Sequence, residues 1–215
     1  QGFYKMVKGA GGEKEFWSLN LNTFEYEAPQ KVRFDSVGKH RKVEDTGERI
    51  KLLINEPDRA GQFLWHHHGF YLAYASHRVP EITDTIVNID NAQKWGFSHE
   101  MGPFEIWDAI GVAETVPAFE AAGYPVAEWV KTMLAQGNTS FYQRDANGVV
   151  IGYYSPQQAA YVPLVQDKRE YKADRLRATG HEVARNGGAS IHDMGDGVAL
   201  LEFHSPANAI YADVI

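Results

Sequence analysis

Cysteine is absent from the chain. Disulfides, thiol nucleophiles and thiolate metal sites are therefore excluded at the outset, which fits a reducing compartment. Long hydrophobic runs are missing too: no apolar stretch approaches the ~20 residues that a membrane-spanning helix needs. Positive charge is in deficit. Lys and Arg number 21 against 28 Asp and Glu, for a net charge of -7 and a pI near 5.7. The basic residues form no long patch, and a nucleic-acid partner is not expected, because phosphate neutralisation requires one. What remains is an ordinary globular balance, with 44% apolar and 23% charged residues in 215. That is enough to bury a core as one large domain or two small ones. The chain begins at Gln1 rather than Met and reads as a piece of something longer, from which a signal peptide could have been cut.

The first 42 residues read as turns and short strands. Gly9 to Gly12 is a flexible turn, residues 16–21 one strand and residues 23–27 an edge strand stopping before Pro29. Residues 31–42 are basic and irregular, a surface crossing. Helical spacing then predicts helices over residues 43–55 and 59–78. The second carries a stripe of Phe63, Leu64, Phe70, Tyr71, Tyr74 and Ala75, suited to a core or to a dimer face. Thr83 is an N-cap candidate for a helix through Trp95, with Gly96 at its C′ position. Pro103 at N1 and Glu105 behind it open the next helix, which Gly111 ends. Two more follow, over residues 112–122 and 126–136. After Asn138 the pattern turns to strands: a hairpin around Asn147-Gly148, then a connector framed by Pro156 and Pro163. Residues 167–185 read as a charged, exposed helix. The last hairpin, residues 189–193 and 198–203, has no visible pairing partner and should be barely stable alone. Weak packing on the helices is expected for it.

Candidate sites are few. His66-His67-His68 invites a metal reading, but consecutive helical side chains point about 100° apart, and neither His66 nor His67 has a partner at helical metal spacing. Glu105 and Asp108, three apart on one helix, could work as an acid/base pair or simply complement the helix dipole. Gly195-Asp196-Gly197 lies in a hairpin turn, whereas a dinucleotide fingerprint follows a strand and opens a helix. Gly9 to Gly12 lacks the Gly-Lys-Ser/Thr of a phosphate loop. Asn138-Thr139-Ser140 matches a glycosylation sequon. No Ser sits in a G-x-S-x-G elbow. Chemistry alone leaves a helical domain with no catalytic, cofactor-binding or metal residues assigned.

A resemblance adds what spacing does not. Trp95-Gly96-Phe97 followed by Met101-Gly102-Pro103-Phe104-Glu105-Ile106-Trp107-Asp108-Ala109-Ile110-Gly111 resembles the "GPFELxDxxG" signature of 3-hydroxyacyl-CoA dehydrogenase C-terminal domains, and Ile89-Asp90 sits where that family has an "iD" pair. Gly2-Phe3-Tyr4 and Phe141-Tyr142 both resemble the ending of such a domain. Residues 189–193, 201–205 and Asn208-Ala209 are similar to the opening hairpin of enoyl-CoA hydratases, the crotonase family. The resemblance implies a mainly α fold, a helical bundle of the dehydrogenase C-terminal type with short β-hairpins at both ends. It implies residues 1–42 as the tail of a first helical domain, 43–142 as a second, 143–187 as hairpin and linker helix, and 188–215 as the start of a hydratase domain. It further implies a cytoplasmic fatty-acid β-oxidation protein whose upstream domain, outside this chain, binds NAD and carries the catalytic residues. Acyl-CoA would be met through the full-length protein, with a homo-oligomer compatible. The family's substrate-contacting Asn would fall near Gly61-Gln62, where no Asn stands. Ala207 and Asn208 are the positions implied to lie near coenzyme A. Two rivals are a non-enzymatic docking or dimerisation module, and a hydrolase or metal enzyme built on Glu105, Asp108 and nearby histidines.

Overall fold

The computed structural model describes residues 2–9, 11–165, 170–205 and 209–210. Strands β1 (Tyr4–Lys8), β2 (Lys14–Leu19) and β3 (Tyr26–Glu27) come first. Seven helices follow: α1 (Asp35–Lys39), α2 (Thr46–Ile54), α3 (Arg59–His77), α4 (Ile86–Phe97), α5 (Pro103–Ile110), α6 (Val112–Ala121) and α7 (Glu128–Ala135). Then come β4 (Tyr142–Arg144), β5 (Val150–Ser155), β6 (Ala160–Pro163), α8 (Ala173–Ala178), β7 (Glu182–Arg185), β8 (Ala189–Asp193) and β9 (Ala199–Phe203). The strands form three antiparallel meanders, β1-β2-β3, β4-β5-β6 and β7-β8-β9, called here sheets A, B and C.

The expected mainly helical bundle is thereby corrected. With 38% helix and 20% strand, the class is mixed. Each expected strand pair has a third strand. In sheet B the third strand ends in Pro163, which read as a connector, yet a proline is tolerated at the edge of a sheet. In sheet C it is Glu182–Arg185, whose charges read as helix; α8 stops at Ala178, Gly180 takes a φ of +77°, and the chain turns back to pair with β8. The terminal hairpin thus has the pairing partner that its sequence did not reveal. The irregular crossing at 31–42 contains the short helix α1.

Local capping explains the helix boundaries. Asp45 and Asp58 accept backbone N–H bonds from Glu48 and Gly61, satisfying donors that α2 and α3 would otherwise leave open. Thr85, not Thr83, caps α4 through the N–H of Val87. Thr83 instead accepts a bond from the Asn88 side chain. Gly96 lies inside α4 and Ser98 adopts the left-handed conformation after it, φ +56°, so the expected C′ role moves two residues on. The stripe on α3 is also rotated. Phe63, Phe70 and Tyr74 are exposed, while His68, Gly69, Leu72, Ala73, Ala75 and Ser76 are buried. Small residues win that face because a Cβ at position 69 would come within 2.8 Å of the Tyr124 ring.

The core forms where these helices meet sheet B. Leu72, Ile86, Phe104, Trp107, Phe119, Met133, Phe141 and Tyr154 are fully covered. Phe141 is the hub, with Phe104, Trp107 and Trp129 ring centroids 5.0, 5.4 and 5.7 Å from its own. The Trp107 indole N–H donates to Thr115 Oγ1 at 2.8 Å, so its burial leaves no donor open. Among the described residues no helix is long and apolar enough to cross a membrane.

Gly96 offers a direct check on the revised end of α4. A Cβ there meets nothing within 4 Å. Gly96→Ala should therefore stabilise the chain by roughly 0.5–1 kcal/mol in urea unfolding, the helix-interior advantage of alanine. A loss of stability would return Gly96 to a left-handed C′ position.

Candidate functional site

The sequence signature around Gly102 builds a buried carboxylate cluster at the start of α5. Asp90 comes from the middle of α4 and is 1% exposed. Its carboxylate accepts the N–H groups of Phe104 (2.9 Å) and Glu105 (3.2 Å), two of the open donors of the first turn of α5, and the Tyr142 hydroxyl at 2.6 Å. Close approach is what makes this possible. A Cβ on Gly102 would lie 2.3 Å from the Asp90 Cα, so only glycine lets α4 touch the head of α5. Glu105 completes the arrangement, accepting the Gly102 N–H at 2.9 Å and pairing with Lys94 Nζ at 2.5 Å.

One turn further, Asp108 secures the strand that closes the helical block. It accepts the backbone N–H of Phe141 (2.6 Å) and Tyr142 (3.0 Å) and the Ser140 hydroxyl (2.7 Å). Burial pushes the Asp90 carboxyl up to about 7, against the pull of the bonds from Tyr142 and Phe104, and the Glu105 charge adds to the rise. Burial also raises Asp108 to about 6, opposed by the bonds from Phe141, Ser140 and Tyr142. Tyr142 is driven upward by burial and by Asp90.

Each expected site residue has its own partners. Glu105 and Asp108 hold different partners: one caps its own helix and the other binds a strand. Both are occupied in structural bonds. The three histidines likewise diverge. His66 Nδ1 meets the Tyr124 hydroxyl at 2.9 Å, His67 stacks between the Phe63 and Tyr71 rings, and His68 Nδ1 meets the Leu64 carbonyl at 2.7 Å. Burial holds His68 below its ordinary value. Residues 195–197 form a turn with all three φ values positive, and Val198 N–H bonds back to the Gly195 carbonyl. Ala207 and Asn208 lie outside the described residues. At position 61 any Cβ would fall 2.1 Å from the Glu56 carbonyl oxygen, so the chain takes glycine there.

A polar cluster in sheet C escaped the sequence reading. Arg177 of α8 reaches Glu202 (2.7 Å) and Glu182 (3.2 Å), His192 meets Glu202 at 2.9 Å, and Ser190 meets His204 at 2.5 Å. Burial alone would raise Glu202, yet the His192 bond and the Arg177 charge hold it below its ordinary value. Alternation along β8 and β9 was the available signal, since Ser190 and His192 share a face with paired Glu202. An open cleft of about 550 Å³ lies beside Trp95, with Lys94, Arg144, Lys172 and Arg175 on its walls. Glu100, Glu105, Glu170 and Asp174 line it as well, so its charges balance and it offers an anion no net attraction.

Two outcomes are expected from Asp90. Asp90→Ala leaves two backbone N–H groups and a hydroxyl buried without acceptors, and should cost about 3–5 kcal/mol in urea unfolding. The pH dependence follows from the raised carboxyls. Between the ordinary value of 3.8 and about 7 for Asp90, or about 6 for Asp108, the folded chain holds protons that the unfolded chain has released. Their contribution is therefore fully present below pH 4 and lost as pH rises toward 7. Asp90→Asn should flatten that decline, and a wild-type contribution that grows over this window would refute the sign.

No protein-family profile matches the chain, and no solved structure matches it. Among curated proteins, all 215 residues are 39% identical to a segment of a Bacillus subtilis protein named as a "Probable 3-hydroxyacyl-CoA dehydrogenase". A stretch of 107 residues, 49% of the chain, is 32% identical to a Rickettsia felis protein named as a "Putative fatty acid oxidation complex trifunctional enzyme". The chain spans 26% of the length of the first relative, and the match covers 13% of the second. The chain is thus similar, from end to end, to a part of a larger bacterial protein named as a "Probable 3-hydroxyacyl-CoA dehydrogenase".

Proposed function

We propose that this chain is part of a cytoplasmic β-oxidation enzyme that oxidises an L-3-hydroxyacyl-CoA to the 3-ketoacyl-CoA with NAD. The observation that carries this reading is the 39% identity sustained over all 215 residues. The described residues offer no element that would hold a dinucleotide. Its described sheets are antiparallel meanders, and its glycine pair at 195 and 197 sits in a hairpin turn, so the strand, glycine loop and helix of a nucleotide site are not formed by them. NAD and the reacting groups therefore belong, on this reading, to other parts of the polypeptide. The share of α2 to α7 and sheet B is a rigid unit that covers the acyl-CoA substrate and helps assemble its neighbours. Residues 188–215 are read as the start of a hydratase-like unit, with Ala207 and Asn208 near coenzyme A.

The test is NADH consumption with acetoacetyl-CoA, the reverse reaction, by this chain and by the longer polypeptide that contains it. The longer protein should be active and the 215-residue chain silent. Activity in the short chain would reveal a nicotinamide site among these residues, and silence from both would favour a docking module.

A further inference from the structure

Helix α1 is held by charge rather than by apolar burial. It includes Gly38, and its N-cap residue Phe34 offers no side-chain bond to the first turn. A helix this short is not stable by itself, so tertiary contacts must form it. Apolar ones are scarce: Val32 and Val37 are 65% and 48% exposed, and Phe34 is half-buried. The buried members are polar, Ser36 and the C-cap residue His40.

Both meet carboxylates on the corner between α2 and α3. Glu56 Oε1 takes Lys39 Nζ at 2.6 Å and His40 Nε2 at 2.7 Å. A carboxylate only accepts, so the His40 Nε2 carries the proton and keeps this bond whether the ring is neutral or charged. Asp58 accepts the Ser36 N–H at 3.3 Å through one oxygen and the Gly61 N–H at 2.9 Å through the other. The group that caps α3 therefore also fastens α1. Glu48 and Lys51 of α2 line the same open cleft as Lys39, His40 and Glu56, and Asp35 and Arg59 are the adjoining charges in the chain. Hydrogen bonds from Lys39 and His40 hold Glu56 below its ordinary value of 4.5, and those from Gly61 and Ser36 hold Asp58 below 3.8.

The place of α1 matters because of what precedes it. No helix among the described residues packs broadly on sheet A. Residues 28–34, between β3 and α1, form neither strand nor helix. After sheet A, α1 is the first element that packs on the helical block, against α3.

We propose that α1 is a strap, fastened by Glu56 and Asp58, that fixes the direction in which the N-terminal segment leaves the helical block. Protonating the two carboxylates unfastens it while the block stays folded. A protonated Glu56 no longer attracts Lys39, and a neutral Asp58 is a weaker acceptor for Ser36. Both carboxyls are held below their ordinary values, so their contribution is present above those values and is lost as the pH falls below them. Asp90 and Asp108 contribute in the opposite direction, most at low pH, so acid separates the strap from the block. The inference makes no use of the dehydrogenase reading, and a catalytically silent protein would leave it standing.

The chain has no cysteine, so two introduced ones can be labelled cleanly. Nitroxides on Asn22→Cys, in the turn between β2 and β3, and on Ala135→Cys, at the end of α7, stand at exposed positions and report the spread of distances between sheet A and the block. At neutral pH the spread should be narrow, and adding Glu56→Gln with Asp58→Asn should broaden it. Asparagine still caps α3, so the block keeps its helix start. In amide hydrogen exchange the same pair of substitutions should cost Gly38 and His40 at least about 10-fold of their protection and leave α5 unchanged. Acidifying the unsubstituted chain to about pH 3 should reproduce both effects without any change of sequence. Unchanged protection at Gly38 and His40 would overturn the proposal, as would a spread that is broad from the start or stays narrow once α1 is unprotected. Loss of α5 protection in step with α1, in the variant and in acid alike, would also overturn it, because α1 would then open only with the block.

Discussion

Two aspartates, Asp90 buried and Asp108 half-buried, join the helical block to the sheet that closes it. Asp90 reaches from α4 to the first turn of α5 and to the Tyr142 hydroxyl, while Asp108 reaches from α5 to the backbone on either side of Phe141. The aromatic core depends on both. Phe141 is placed among Phe104, Trp107 and Trp129 only because its flanking amides are held at a fixed depth by Asp108. Burying carboxylates is costly, and the cost appears in their raised proton affinities. What offsets it is the number of donors, for each carboxylate receives three.

Such a device explains why a signature that looks catalytic in sequence can be architectural. Glu105 and Asp108 have the spacing of an acid/base pair, yet each is saturated by donors from elements that it holds in place. Gly102 belongs to the same device, since its missing side chain is the space in which Asp90 lies. The signature is therefore a statement about how α4, α5 and β4 are locked together.

A second consequence is that the clasp closes a modular sheet. Sheets A and B share their strand order and a tyrosine-to-carbonyl bond, Tyr26 to Gly2 and Tyr161 to Ser140, while β4 shifts register between Gln143 and Arg144 and β1 does not. In sheet B the helical block covers the Phe-Tyr edge, leaving Phe141 and Tyr142 0% and 6% exposed. Sheet C uses a different means, an Arg177 side chain shared between Glu182 and Glu202, which ties α8 to the strands beneath it.

Amino-acid order by itself determined the helical block and its approximate limits. Apolar spacing, Pro103 at N1 and glycines at the stops act within a turn or two of chain, so α2, α3, α5, α6 and α7 were legible. Asn147-Gly148 likewise announced its hairpin. Tertiary structure decided the rest. Which face of α3 is buried depended on Tyr124, which packs against Gly69 from a distant loop. The third strands of sheets B and C depended on pairing with β5 and β8, which compensates for Pro163 and for the charges of 182–185. The roles of Asp90, Glu105 and Asp108 depended on donors up to 52 residues away, and spacing within a helix carries no information about those. Local rules fix an element; only long-range hydrogen bonding and burial decide what its side chains are for.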